Sequence, residues 1–175
     1  MTDTQKFSLG FYFQVMSRML GNPREFFSDL SPDTEMMPPL LFLTVSSLIF
    51  AVSGVMNGPS APALTGSILF VNAVGMVFIS SGLGYMVIFM TQGKRFPFRR
   101  IFAIYAFSSG LTLLASWIPF FLVITEPWKW WLIGTGMTCH LSLNWKQALA
   151  VVLLSVGIIL LFFWSLIPLL AAVNR

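Results

Sequence analysis

Between two long apolar runs the chain carries nine residues, Gln92 to Arg100 (Gln-Gly-Lys-Arg-Phe-Pro-Phe-Arg-Arg), which hold four of its ten lysines and arginines. A short loop so dense in cations is not carried across a bilayer and stays in the cytoplasm. Lys94, Arg95, Arg99 and Arg100 therefore set the direction of every other segment. The argument requires the flanking runs to be membrane spans, and composition agrees: 57% of residues are hydrophobic, 9% are charged and mean hydropathy is +0.83. Soluble domains carry about 25% charged residues. The chain reads as a multi-span membrane protein.

The net charge of +4 and the pI near 9.6 do not imply a nucleic acid partner. The cations sit in flanks and loops, where positive-inside bias accounts for them, and no basic helix or aromatic RNA-binding motif accompanies them. Cys139 is the single cysteine, so thiols supply no intramolecular disulfide, redox pair or zinc cage. The start, Met1 to Lys6, is polar and followed by a short mixed segment, unlike a secretory signal. Ala61-Pro62-Ala63 imitates a cleavage site, but the run before it is long and its flank holds Asp29, Asp33 and Glu35, too acidic for a signal.

Gly10, Gln14, Ser17, Arg18 and Gly21 fall on one helical stripe, with Phe7, Phe11, Tyr12, Val15, Met16, Met19 and Leu20 filling the rest. This predicts an amphipathic helix, lying in the headgroup layer or packed on the underside of the bundle. Asn22-Pro23-Arg24-Glu25 has the grammar of a helix start, a capping residue, a proline at the first helical position and an acid three residues after the cap. Ser31-Pro32 repeats the cap and proline signals, and Met36-Met37-Pro38-Pro39 leads into the membrane. Residues 1–36 form a cytosolic N-terminal segment and residues 37–175 a transmembrane helical domain. Glu25, Asp29, Asp33 and Glu35 share a compartment with the basic loop, and the two patches should interact weakly.

The first span runs from about Pro39 to Met56, with Ser47, Ala51, Gly54 and Gly58 on one face, where small residues admit a neighbouring backbone. The second, Leu64 to Met90, carries Asn72, Gly75 and Gly82 on one face and Ser80 with Gly84 as another small pair. The third, Ile101 to about Ile124, presents Ala103, Ala106 and Gly110 at contact spacing, and Pro119 predicts a kink or early end. Glu126-Pro127 is expected to make the outer turn, with Trp128, Trp130 and Trp131 as an interfacial belt. Trp130 to Leu143 is too short for a confident span, because fourteen residues rise only about 21 Å against a hydrocarbon core of about 30 Å. Gln147 to Ala172 is the last span. The cation count is the same whether the short segment crosses or re-enters, leaving five spans and four on equal terms.

Asn22-Pro23-Arg24-Glu25-Phe26-Phe27, Phe98-Arg99-Arg100-Ile101-Phe102-Ala103, and Ile133-Gly134 through His140 followed by Lys146-Gln147-Ala148 together resemble the Yip-domain family. Its members are five-span membrane proteins, and the eukaryotic ones associate with Ypt/Rab GTPases. The resemblance implies an all-α polytopic bundle of five transmembrane helices, four plus a re-entrant segment being the alternative, with a cytosolic amphipathic N-terminal helix. The Asp-Leu-Tyr-Gly-Pro signature of eukaryotic members is missing between Met1 and Glu35, which makes a GTPase partner doubtful and the prokaryotic branch the better likeness.

His140 beside Cys139 is the only pair of ligand or nucleophile type in the apolar region, and one of each completes no zinc or haem site. Its ordinary role is to cap the fourth segment and bond a neighbouring helix. Every Asp, Glu, Lys and Arg lies in a flank or loop, which disfavours ion-coupled transport. The expectation is a non-enzyme without cofactor or metal, a scaffold or adaptor binding membrane lipids and other membrane proteins, a second copy of itself included. A passive conduit or lipid-handling oligomer is the alternative. The cytoplasmic (inner) membrane is the expected location, with Golgi or endoplasmic reticulum as the alternative. The basic loop is the candidate contact for lipid or partner, and Ser47, Ala51, Gly54, Asn72, Gly75, Gly82, Ala106 and Gly110 are the candidate helix-packing positions.

Overall fold

The computed structural model of the chain describes residues 9–56, 61–93, 95–116 and 122–173. These form seven helices: α1 (Leu9–Gly21), α2 (Pro23–Asp29), α3 (Met37–Val55), α4 (Pro62–Gln92), α5 (Phe98–Leu113), α6 (Leu122–His140) and α7 (Trp145–Val173), with no strand among the described residues.

The expected cap starts α2. Asn22 Oδ1 accepts the Glu25 N–H at 3.3 Å while its Nδ2 donates to the Glu25 carboxylate at 2.9 Å, satisfying groups that a helix start leaves open. At Ser31 the repeated signals make only a tight turn. Ser31 Oγ accepts the Asp33 N–H at 3.2 Å and its carbonyl accepts the Thr34 N–H at 3.0 Å, so α3 waits until Met37.

Three helices are long and apolar enough to cross a membrane: Met37–Val55, Pro62–Gln92 and Trp145–Phe162 within α7. At its lower end α4 stops on Gly93, whose φ of 61° lies in the left-handed region that a side chain disfavours.

The third apolar run differs from expectation. Helix α5 ends at Leu113, its last turn tightening as Leu114 N–H bonds Leu111 O at 3.3 Å, and Pro119 lies outside the described residues. The outer turn expected at Glu126-Pro127 is corrected, because both residues lie inside α6. Lys129 pairs with Glu126 one turn earlier at 2.6 Å, a spacing that suits a helix. The short Trp130 to Leu143 segment is thus mostly the later part of a 19-residue helix, which rises about 28 Å rather than about 21 Å.

Helix α5 is the hub. Every residue from Ile101 to Thr112 is buried, enclosed by α3, α4 and α6. With protein on all sides it can hold Tyr105, Ser108, Ser109 and Thr112, which a lipid-facing helix would expose at a cost. It runs antiparallel to α6, since the meeting pairs count in opposite directions: Arg100 with His140, Ile104 with Gly136, Ser116 with Thr125.

The N-terminal helices pack into the same core. Phe26 meets Phe107 edge-on at 5.2 Å, and Phe27 is fully buried beside Gly136. Helix α1 lies against α3, with Tyr12 donating to or accepting from Ser46 Oγ at 3.0 Å and its ring 4.8 Å from that of Phe42. Its buried side is Tyr12, Val15 and Met19, while Gly10, Gln14, Ser17, Arg18 and Gly21 are exposed. An Arg18–Asp29 ion pair closes α1 onto the end of α2.

Candidate functional site

The basic loop joins the C-cap of α4 to the first turn of α5, and its described cations have separate tasks. Lys94 lies outside the described residues. Arg95 is exposed and sits 5.3 Å over the Phe89 ring. Arg99 donates to Asp33 Oδ1 at 3.1 Å, linking the loop to the turn before α3. Arg100 is half-buried. Its Nη2 donates to the His140 carbonyl and its Nε to His140 Nε2 at 3.4 Å, while its guanidinium lies 5.9 Å over Phe96.

Those contacts explain the position of His140. Because Arg100 has no acceptor to offer, the imidazole nitrogen facing it must be the bare acceptor of a neutral ring. The ring also faces the carbonyls of Phe27 and Leu30, so His140 ties α2, α5 and α6 together at one end of the bundle. Among the described residues no group of three or more His, Cys, Asp or Glu could hold a metal. Among the described residues the loop offers two exposed cations, Arg95 over the Phe89 ring and Arg99 on Asp33, and these suit anionic or acidic contacts.

The candidate packing positions divide into two sets. Ser47 and Ala51 are buried, and a Cβ on Gly54 would stand 2.6 Å from Leu69, so this face of α3 packs on α4. Gly58 lies outside the described residues. Ala106 and Gly110 are enclosed in α5, where a Cβ on Gly110 would meet the Phe42 ring at 2.8 Å. Gly75 and Gly82 point the other way, and Asn72 stands at the edge between that face and a cavity bounded by α4, α5, α6 and α7. Asn72 is exposed, and a Cβ at either glycine would meet nothing within 4 Å. Their neighbours on that face, Ile79 and Met86, are exposed, whereas Ala73, Val77, Ser81 and Gly84 form the buried side.

Two close approaches went unassigned in the sequence. Gly84 receives the Tyr105 phenol, and Gly136 receives Ile104 and Phe27. Ser80 and Gly84 were visible as a small pair, but no spacing names the aromatic ring that fills such a gap. Gly136 carried no helix-face signal, since it lies in the short segment whose partners were open.

Among the described residues, seven helices with α5 buried among the others, three of the seven long and apolar enough to cross a bilayer, and an arginine loop at one end define a polytopic helical membrane protein. The chain belongs to the Yip1 domain family, whose profile matches residues 17–167, from within α1 to within α7. No curated protein and no solved structure matches it.

Proposed function

We propose that this protein is a non-catalytic scaffold or adaptor that binds other membrane proteins through the outward face of α4. One observation supports this reading: Gly75 and Gly82 lie on a face that the chain's own bundle leaves uncovered, with Asn72 exposed at its edge. Glycines bring little helix stability, and in lipid their usual use is to let a second helix approach. Asn72 adds a hydrogen-bonding group that a partner helix can satisfy. The basic loop, with Arg95 and Arg99, serves as the contact for lipid headgroups or acidic partner segments at the membrane surface.

The accompanying topology has five spans, with α5 and α6 crossing as an antiparallel pair and the N-terminal helices on the cytosolic side of the cytoplasmic membrane. A reporter after Arg175 then reads non-cytosolic and one in the Gln92 to Arg100 loop reads cytosolic. Both on one side would replace this topology by four spans and a re-entrant α6.

The scaffold reading is tested with a photo-crosslinking residue in place of Ile79, on the open face, or of Val77, on the buried one. Ile79 should capture another membrane protein or a second copy, and Val77 should not. Lipid adducts alone at Ile79, together with ion flux in proteoliposomes, would make the protein a passive conduit instead.

A further inference from the structure

Away from the basic loop, a cavity of about 350 Å³ opens between α4, α5, α6 and α7. This falls in the range of small-ligand sites, about 300–1,000 Å³. Glu126, Lys129 and Trp130 stand at the end near the α5–α6 turn, and Ser116, Thr112, Ser109 and Tyr105 follow one another down α5. The α7 wall is apolar, with Val156, Ile159 and Leu160, while α4 adds Asn72 and Ser80, and Leu160 is 63% exposed on the outside of the bundle.

We propose that this cavity binds the phosphoethanolamine headgroup of a membrane phospholipid in the leaflet at the α5–α6 turn. The hydrogen-bonding valences carry the assignment. Thr112 Oγ1 directs its hydrogen to the carbonyls of Ser108 and Ser109, at 3.2 and 3.1 Å, and Ser116 Oγ directs its own to Thr112 O at 2.8 Å. Having given its hydrogen to the backbone, Thr112 Oγ1 offers lone pairs to the cavity, while one lone pair of Ser116 Oγ is met by the Thr125 hydroxyl at 3.4 Å. The Glu126 carboxylate adds further acceptors. The mouth therefore asks for a donor, and a primary ammonium has three N–H groups where a trimethylammonium has none.

Lys129 provides the complement. It is the cation at the mouth, held 5.2 Å over the Trp130 ring and 2.6 Å from Glu126. A zwitterion whose phosphate meets Lys129 and whose ammonium meets Glu126 matches both members of that ion pair at once.

The deep end has a different requirement. Tyr105 is completely buried, its phenol seated against Gly84 and beside Ser155. Tyr105 and Ser116 are eleven residues apart, about 16 Å along the helix. That is about twice the depth of a headgroup layer of about 5–8 Å per leaflet, so the cavity floor lies at the level of the acyl chains. The cavity is too small for a whole lipid, and the acyl chains leave past Ile159 and exposed Leu160. This assignment stands apart from the scaffold reading and needs no partner protein.

The test is native mass spectrometry of the delipidated full chain in detergent, titrated with phosphatidylethanolamine, phosphatidylcholine and phosphatidylglycerol bearing the same acyl chains. The ethanolamine lipid should be retained at about tenfold lower concentration than the choline lipid. Thr112→Val and Glu126→Gln should each move that ratio towards one while leaving the glycerol lipid unchanged, and Lys129→Gln should weaken the ethanolamine and glycerol lipids alike. The ratio is internal to each preparation, so loss of folded protein cannot imitate the result. Equal retention of the ethanolamine and choline lipids by the parent protein overturns the proposal, as does a preference that survives both Thr112→Val and Glu126→Gln. Soluble glycerophosphoethanolamine is the competitor: displacement of the lipid at equal concentration would assign the site to a soluble phosphoamine instead.

Discussion

Asp33 and Arg99 are separated by 66 residues of chain and meet at 3.1 Å. Their contact joins the acidic turn before α3 to the basic loop before α5, the pairing expected from the charges of the two segments. Asp33 is 89% exposed and Arg99 45% exposed, so the bond contributes about 0–1 kcal/mol at most. It positions two segments rather than holding the fold. Cysteines at 33 and 99 should crosslink faster than cysteines at 35 and 95, and the Asp33→Arg, Arg99→Asp exchange should leave thermal stability within about 0.5 kcal/mol of the parent.

Arg100 should be far less replaceable. It is half-buried and donates to both the carbonyl and the ring of His140. Lysine keeps the charge but loses the planar fork, so Arg100→Lys should cost about 1.5–3 kcal/mol. Thermal unfolding in detergent measures it, and protease access to the loop before α7 should rise in parallel.

Glycine substitutions should sort by face. Gly136→Val drives methyl groups into Ile104 and Phe27, an overpacking that costs about 1–3 kcal/mol or more. Gly75→Val meets open space and should unfold at the parent's temperature. If α4 receives a partner helix there, the same Gly75→Val chain should lose crosslinks from position 79 without losing stability.

Tyr12→Phe removes the hydrogen bond to Ser46 and keeps the ring on Phe42. Ser46 is fully buried and its hydroxyl is left without that partner, so the cost should be about 1–2 kcal/mol. Hydrogen exchange over α1 should speed up before any change in α3.

How much of this was legible depends on whether a feature is local. The α2 cap was, because Asn22, Pro23 and Glu25 satisfy one another within four residues. The exposed stripe of α1 and the small face of α3 were also legible, since periodicity alone orders them. The helical course through Glu126-Pro127 was not. Proline there reads as a turn, and the contacts of Thr125 with Ser116 and of Lys129 with Glu126 accompany the helix through it. Nor could the pattern show α2 wedged against α5 and α6, because Phe26 and Phe27 announce an apolar face without naming Phe107 or Gly136 as its counterpart. The cavity between α4, α5, α6 and α7 lay furthest from view, its valences set by which hydroxyls spend their hydrogens on their own helix.

The enclosure of α5 also bears on how the chain is made. Its 16 residues include Arg99 and Arg100 and four buried hydroxyl-bearing side chains from Tyr105 to Thr112, so it is a poor substrate for independent release into lipid. It becomes comfortable only once α3, α4 and α6 surround it. On the proposed five-span topology, α3 and α4 emerge first, α5 is retained beside the insertion machinery, and the arrival of α6 lets the two partition as a hairpin. Ribosome-stalled chains ending between α5 and α6 should therefore remain attached to the translocon, while those extended beyond His140 should be released.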